Sequence, residues 1–290
     1  MAHKTAGAVL SCWGRPPHFL NTIMTKTEII NTALALIGGK SLANADTDTT
    51  PQAVSGRKFW ELALNEALSA QNWNFATKRT RLKVTRTAIT SVTNNGGLVR
   101  ITKVSHGLVT GDRAAIENVP CAVGSFFATR IDADTFDLQD SVFASGYSSG
   151  GTFLKIPAFG WSYQHALPSD CVKVRRVVDD PDRDMEENDT EPFRVESGFI
   201  LCDLEAAFVA YTWRNETTST YPHEFVAALS TLLASYLAQD LAGPAGRSAE
   251  IRQTYERLML PNARGRDARE GKGDTNVNTA SSELHASRFA

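Results

Sequence analysis

The chain has 290 residues, 42% of them hydrophobic, enough for one large domain or two moderate ones with a packed core. Lys and Arg number 30 against 32 Asp and Glu, a formal charge of -2 that argues against a surface devoted to gripping nucleic acid. Cys12, Cys121, Cys171 and Cys202 are widely spaced and suggest neither a zinc site nor a disulfide framework, and no apolar stretch approaches the roughly 18 residues that span a bilayer.

Residues 1–24 read as an extension outside the fold, because the apolar patch at 6–10 is too short for a signal segment and Pro16-Pro17 soon breaks it. Thr25-Lys26-Thr27-Glu28 is a capping box and predicts a helix over 26–37, with Ile29, Ile30, Ala33, Leu34 and Ile37 on one face and Gly38-Gly39 as the stop. Asp48-Thr49-Thr50-Pro51 opens a second helix that runs to about Ala70. Its stripe of Ala53, Trp60, Leu64, Ala67 and Leu68 is expected to be core.

Between residues 86 and 156 the helical period vanishes, and short β-rich runs at 98–104, 113–119, 128–131, 135–138 and 151–156 predict a small β module. It separates two aromatic phrases, Gln71-Asn72-Trp73-Asn74-Phe75 and Gly160-Trp161-Ser162-Tyr163-Gln164-His165, and reads as an insertion into a loop. Runs at 172–178, 193–195, 199–202 and 207–213 predict a small antiparallel sheet with a turn at Glu196-Ser197-Gly198. A helix from near Pro222 carries Phe225, Leu229, Leu232, Leu233, Tyr236 and Leu237, and a second at about 248–260 is expected to end at Pro261. Residues 262–290 are too polar to fold alone and read as an extended arm.

Reactive constellations are sparse. Asp180, Asp182, Asp184, Glu186 and Glu191 have the spacing of a calcium loop, but Met185 replaces its glycine and strands are expected on both sides, so a solvated hairpin loop is the preferred reading. Glu61 and Glu66 could be cast as a glycosidase acid and base, yet spacing alone defines no sugar cleft. The histidines form no metal or nucleophile motif. Trp73, Phe75, Trp161 and Tyr163 with Lys78, Arg79 and Arg81 could form a stacking platform for single-stranded nucleic acid, but aromatics beside Asn and Pro more commonly pin loops to a core. Trp60, Trp73, Phe75, Trp161, Tyr163 and Pro168 are therefore expected to be structural core residues.

The two phrases, the first extended by Ala76-Thr77-Lys78-Arg79 and the second by Ala166-Leu167-Pro168-Ser169-Asp170-Cys171, resemble the core signature of the head-to-tail adaptors (tail tubular proteins) of short-tailed bacteriophages. The stretch Val104-Ser105-His106-Gly107-Leu108 within residues 86–156 resembles the FCCH-type barrel-like module, which implies no ubiquitin chemistry here. The resemblance implies an α+β fold: a helical-bundle adaptor core in two parts, residues 25–85 and 157–261, with a small antiparallel sheet and an inserted small β-barrel-like module. It implies a virion protein without enzymatic activity or cofactor, forming a dodecameric ring that joins the portal protein to the tail nozzle or fibres and extends the channel for genomic DNA. Arg264, Arg266, Arg269, Arg288 and Phe289 of the arm are the expected portal contacts. The alternative is a tail-associated peptidoglycan hydrolase.

Overall fold

The computed structural model describes residues 24–144, 150–181, 190–241 and 245–270. Its helices are α1 (Lys26–Leu36), α2 (Pro51–Ser69), α3 (His223–Leu241), α4 (Ala245–Thr254) and α5 (Leu260–Glu270), the last two joined through a π-helical turn, Tyr255–Met259. The strands are β1 (Thr77–Lys83), β2 (Thr87–Ala88), β3 (Ser91–Asn95), β4 (Leu98–Thr102), β5 (Arg113–Glu117), β6 (Gly124–Arg130), β7 (Thr135–Leu138), β8 (Thr152–Ile156), β9 (Tyr163–Ala166), β10 (Cys171–Val178), β11 (Arg194–Glu196), β12 (Phe199–Cys202) and β13 (Ala206–Trp213).

The helices form one layer. The Glu28 amide donates to the Thr25 hydroxyl and the Thr25 amide to the Glu28 carboxylate, so α1 starts with two otherwise orphaned donors satisfied. Pro51 occupies the first turn of α2, where a missing N–H costs nothing. The apolar faces of both helices close on α3, whose Phe225, Leu229, Leu232 and Leu233 are buried. Each side chain of this size contributes about 1.5–3 kcal/mol on full burial.

A three-stranded antiparallel sheet ordered β1-β13-β10 adjoins this layer, and a second, ordered β11-β12-β9, packs against the first. The two-residue period of β13 sends Ala207, Val209 and Tyr211 to a core shared with Val174 and Val177 of β10 and Ile200 and Cys202 of β12.

The largest sheet has seven strands in the order β2-β8-β5-β6-β7-β4-β3. Its end strands β2 and β3 are successive parts of one segment, and between them the Ile89 amide donates to the Gly151 carbonyl and the Thr90 amide to the Thr102 carbonyl. The sheet therefore curls back on itself around Val99, Ile101, Ile116, Phe136 and Leu138. Buried Asp137 accepts from Arg100 at 2.7 and 2.9 Å and from Asn95 at 2.8 Å. Where this unit meets the rest of the chain, Arg86 bonds both Glu117 and Glu205, and Val84 packs with Leu154, Ile156 and Tyr163.

This architecture corrects the expected helical-bundle core. The chain is mostly β, with a curled seven-stranded sheet and two small sheets among the described residues, and the helices form a single layer beside them. Helical periods are long and conspicuous in a sequence, whereas strands of two to eight residues, half-buried on mixed faces, leave little periodic signal. A second correction concerns Pro261 and the arm. The helix passes Pro261 and continues to Glu270, because the π turn just before it changes the backbone bonding where the missing proline donor would be felt. Residues 262–270 are thus helical, with Ala263 and Asp267 buried, while 271–290 lie outside the described residues.

Candidate functional site

The extensions of the two phrases meet through Lys78 and Asp170 where β1, β13 and β10 adjoin the helical layer, whereas the aromatic side chains Trp73 and Tyr163 belong to separate clusters. Asp170, near the end of the second phrase, accepts from the Lys78 ammonium at 2.6 Å and from the Tyr211 hydroxyl at 3.0 Å, while its carbonyl accepts the Arg214 amide at 2.7 Å. The Lys78 ammonium also lies 3.9 Å from the Trp213 ring centroid. One strand over, the Arg175 guanidinium donates to the Trp73 carbonyl at 2.8 Å, to the Thr212 hydroxyl at 2.9 Å, and to the Thr77 hydroxyl. Burial pushes the Arg175 guanidinium down to about 10, and Asp267, also desolvated, is pushed up.

Charge at this junction makes stability depend on pH. The Lys78 hydrogen bond holds the Asp170 carboxyl below its ordinary value, helped by Tyr211, and burial pushes Tyr211 up to about 12. A depressed carboxyl contributes stability that is complete above its unfolded value, about 4, and is lost as pH falls through the folded value. A raised phenol loses its contribution as pH climbs from about 10 to 12. Asp170→Asn should therefore flatten the acid limb of a curve of urea midpoint against pH; an acid limb identical to the parent protein's would place acid sensitivity elsewhere.

The outward face of β1-β13-β10 carries a groove of about 230 Å³. Its chemistry follows from register. Arg79 and Arg176 both pair with Ala210, one from each side of the central strand, and Arg81 and Val178 both pair with Phe208. The Arg81 guanidinium lies 5.6 Å from the Phe208 ring centroid. Three guanidiniums thus border a floor of alanine, valine and phenylalanine, which can hold a polyanion with an apolar portion. The sequence singles out Arg79 and Arg81 but not Arg176 or Phe208, which reach the groove from distant strands.

The remaining expected core residues divide. Trp60 and Trp73 are buried and Phe75 packs half-buried against Tyr221 and Phe225, whereas Trp161, Tyr163 and Pro168 are half-buried, with Tyr163 against the Val84 cluster. Among the expected portal contacts, Arg264 donates to the Ala70 carbonyl at 2.6 Å and Arg266 lies 3.3 Å from Glu224, so both are engaged within the chain. Arg269 is exposed, and Arg288 and Phe289 lie outside the described residues.

Other candidate groups are also engaged. Glu61 pairs with Arg214, and Glu66 with Arg252 and the Tyr236 hydroxyl beside a recess of about 300 Å³. His106 accepts the Leu108 amide at Nδ1 and donates from Nε2 to the Asp132 carbonyl, and His165 donates from Nε2 to the Leu204 carbonyl. Burial raises the Cys171 thiol to about 11 and raises Cys202 as well, opposite to what a thiolate nucleophile needs. Most of the calcium-loop candidate, residues 182–189, lies outside the described residues, but the elements on either side are strands β10 and β11. Among the described residues no group of three or more His, Cys, Asp or Glu is placed to hold a metal ion, and no helix is long and apolar enough to cross a membrane.

No protein-family model matches the chain, and no similar curated protein is found.

Proposed function

We propose that this chain is a structural subunit of a head-to-tail adaptor ring in a short-tailed bacteriophage, joining portal to tail and extending the DNA channel. The observation that carries this reading is the convergence of the two signature phrases. Their residues serve as joints: Trp73 fills the helical core and offers its carbonyl to Arg175, and Asp170 ties Lys78, Tyr211 and Arg214 together. A subunit that must transmit load between neighbours needs rigid links between its layers. Ring assembly also needs a surface for the next copy, since heterologous contacts close rings by repetition. Val54 and Leu62, each 50% exposed and eight residues apart on α2, supply apolar side chains for such a contact.

Electron microscopy of the full-length protein mixed with its cognate portal tests this directly. A ring of copies at the portal exit is expected. Copies that remain single and cause turbidity loss in purified peptidoglycan would replace the adaptor reading with the hydrolase.

A further inference from the structure

We propose that the arginine-bordered groove on the β1-β13-β10 sheet binds a single strand of nucleic acid, its phosphates on Arg79 and Arg81 and a base or sugar against Phe208. The proposal stands on the groove alone and does not depend on the adaptor reading.

The sequence of β1 reads Thr77-Lys78-Arg79-Thr80-Arg81-Leu82-Lys83, and its two-residue period sorts the cations. Lys78 turns to the Asp170 junction, while Arg79, Arg81 and Lys83 are exposed and follow one another on the opposite face. At about 3.4 Å per residue, that is a row of cations about 7 Å apart. β1 is also an edge strand, so the row borders the sheet and is open to a chain lying along it. Among the described residues neither Arg79 nor Arg81 has an ion-pair partner. Arg176 has an interaction of its own, and Asp179 and Asp180 follow β10 with theirs, so the phosphates are assigned to the β1 pair.

Charge complementarity selects a polyanion, and the floor selects which one. A regular row of guanidiniums fits a polymer with one charge per repeat better than a peptide of mixed side chains, and guanidiniums match phosphate oxygens in pairs. Beside the β1 row lie Ala210 and Phe208 of the central strand, with Val178 of β10 beyond Phe208, an apolar and aromatic strip where hydrated carboxylates gain nothing and a base face can stack. A duplex keeps its bases stacked inside and too wide for a recess of about 230 Å³.

The test is fluorescence anisotropy of a labelled single strand of about 20 nucleotides, titrated with the full-length protein at about 50 and 200 mM salt. Binding should weaken with salt. Arg79→Ala/Arg81→Ala should lower affinity about tenfold or more and reduce the salt slope by about 1.4, since each single-strand phosphate contact contributes about 0.7. Phe208→Leu should weaken binding while leaving that slope unchanged, the signature of a lost stacking contact. A control that removes two exposed cations elsewhere, Lys40→Ala/Arg257→Ala, should bind as the parent does, and all variants should melt at the parent temperature. No binding at low salt, equal loss in the control, displacement by polyglutamate as effective as by unlabelled strand, or tighter binding of a duplex of the same length would each overturn the proposal. A protein that fails this test can still form a ring on the portal, and a strand-binding protein can fail to do so, which separates the two readings.

Discussion

Replacing Trp73 by Ala should destabilise the protein by about 3 to 5 kcal/mol, the range of buried aromatic-to-alanine changes. The ring is 1% exposed, packs edge-on against Phe225 at 5.1 Å and touches Phe75 at 6.1 Å. Its indole N–H donates to the Ala67 carbonyl at 2.7 Å, so truncation leaves both a cavity and a buried acceptor without its donor. For a chain of this size each kcal/mol moves the melting temperature by about 2–4 °C, which makes a fall on the order of 10 °C the expected result. Trp161→Ala is the informative partner. That ring is half-buried and outside the apolar clusters, and its loss should cost about 1 kcal/mol, the centre of the range for single substitutions. Equal losses at the two positions, measured by urea unfolding, would mean that Trp161 carries core packing the half-buried geometry does not provide.

The contrast between these tryptophans shows what local pattern can convey. Features encoded within a few residues were legible: the Thr25–Glu28 capping box, the proline-led start of α2, and the turn at Ser197-Gly198 between β11 and β12 each depend on neighbours in sequence. Burial of Trp161 depends instead on what β9 and its flanking loop meet in space, which no period reports. β2, two residues long, has no periodicity to detect, and the curl of its sheet depends on its pairing with the distant β8, Thr87 opposite Phe153. Pro261 misleads because proline is a helix terminator only where a regular turn would need its donor, and here a π turn intervenes.

The groove was hidden for a related reason. A net charge of -2 averages over the whole chain, but register brings Arg79, Arg81 and Arg176 to one face. The local signal was present as alternation along Lys78 to Lys83, with every second residue from Arg79 onward a cation on the same side. Its counterpart, Phe208, became relevant only once β13 was known to pair with β1.

Gly151→Ala should act almost as strongly as the Trp73 change, but within the curled sheet. Gly151 has φ +77, where an L side chain is strained, and a Cβ there would lie 2.6 Å from Val119 Cγ2, 2.9 Å from the Glu117 carbonyl and 3.1 Å from the Asn118 carbonyl. Backbone oxygens cannot retreat without disturbing the pairing of β5 with β8, which begins at Glu117 and Thr152. Left-handed strain of about 1–2 kcal/mol and overpacking of about 1–3 kcal/mol together give a loss of roughly 2 to 5 kcal/mol. Gly198→Ala is the control: φ is +82 but nothing lies within 4 Å of the added carbon, so only the strain remains. The comparison also tests whether residues 86–156 behave as an inserted unit. If they do, Gly151→Ala should bring forward the melting of β structure while the helical circular dichroism signal keeps its midpoint. A single transition that shifts as a whole would mean that the Arg86 bonds to Glu117 and Glu205, with the packing of Val84 on Leu154 and Ile156, weld the curled sheet to the rest of the chain as one cooperative block.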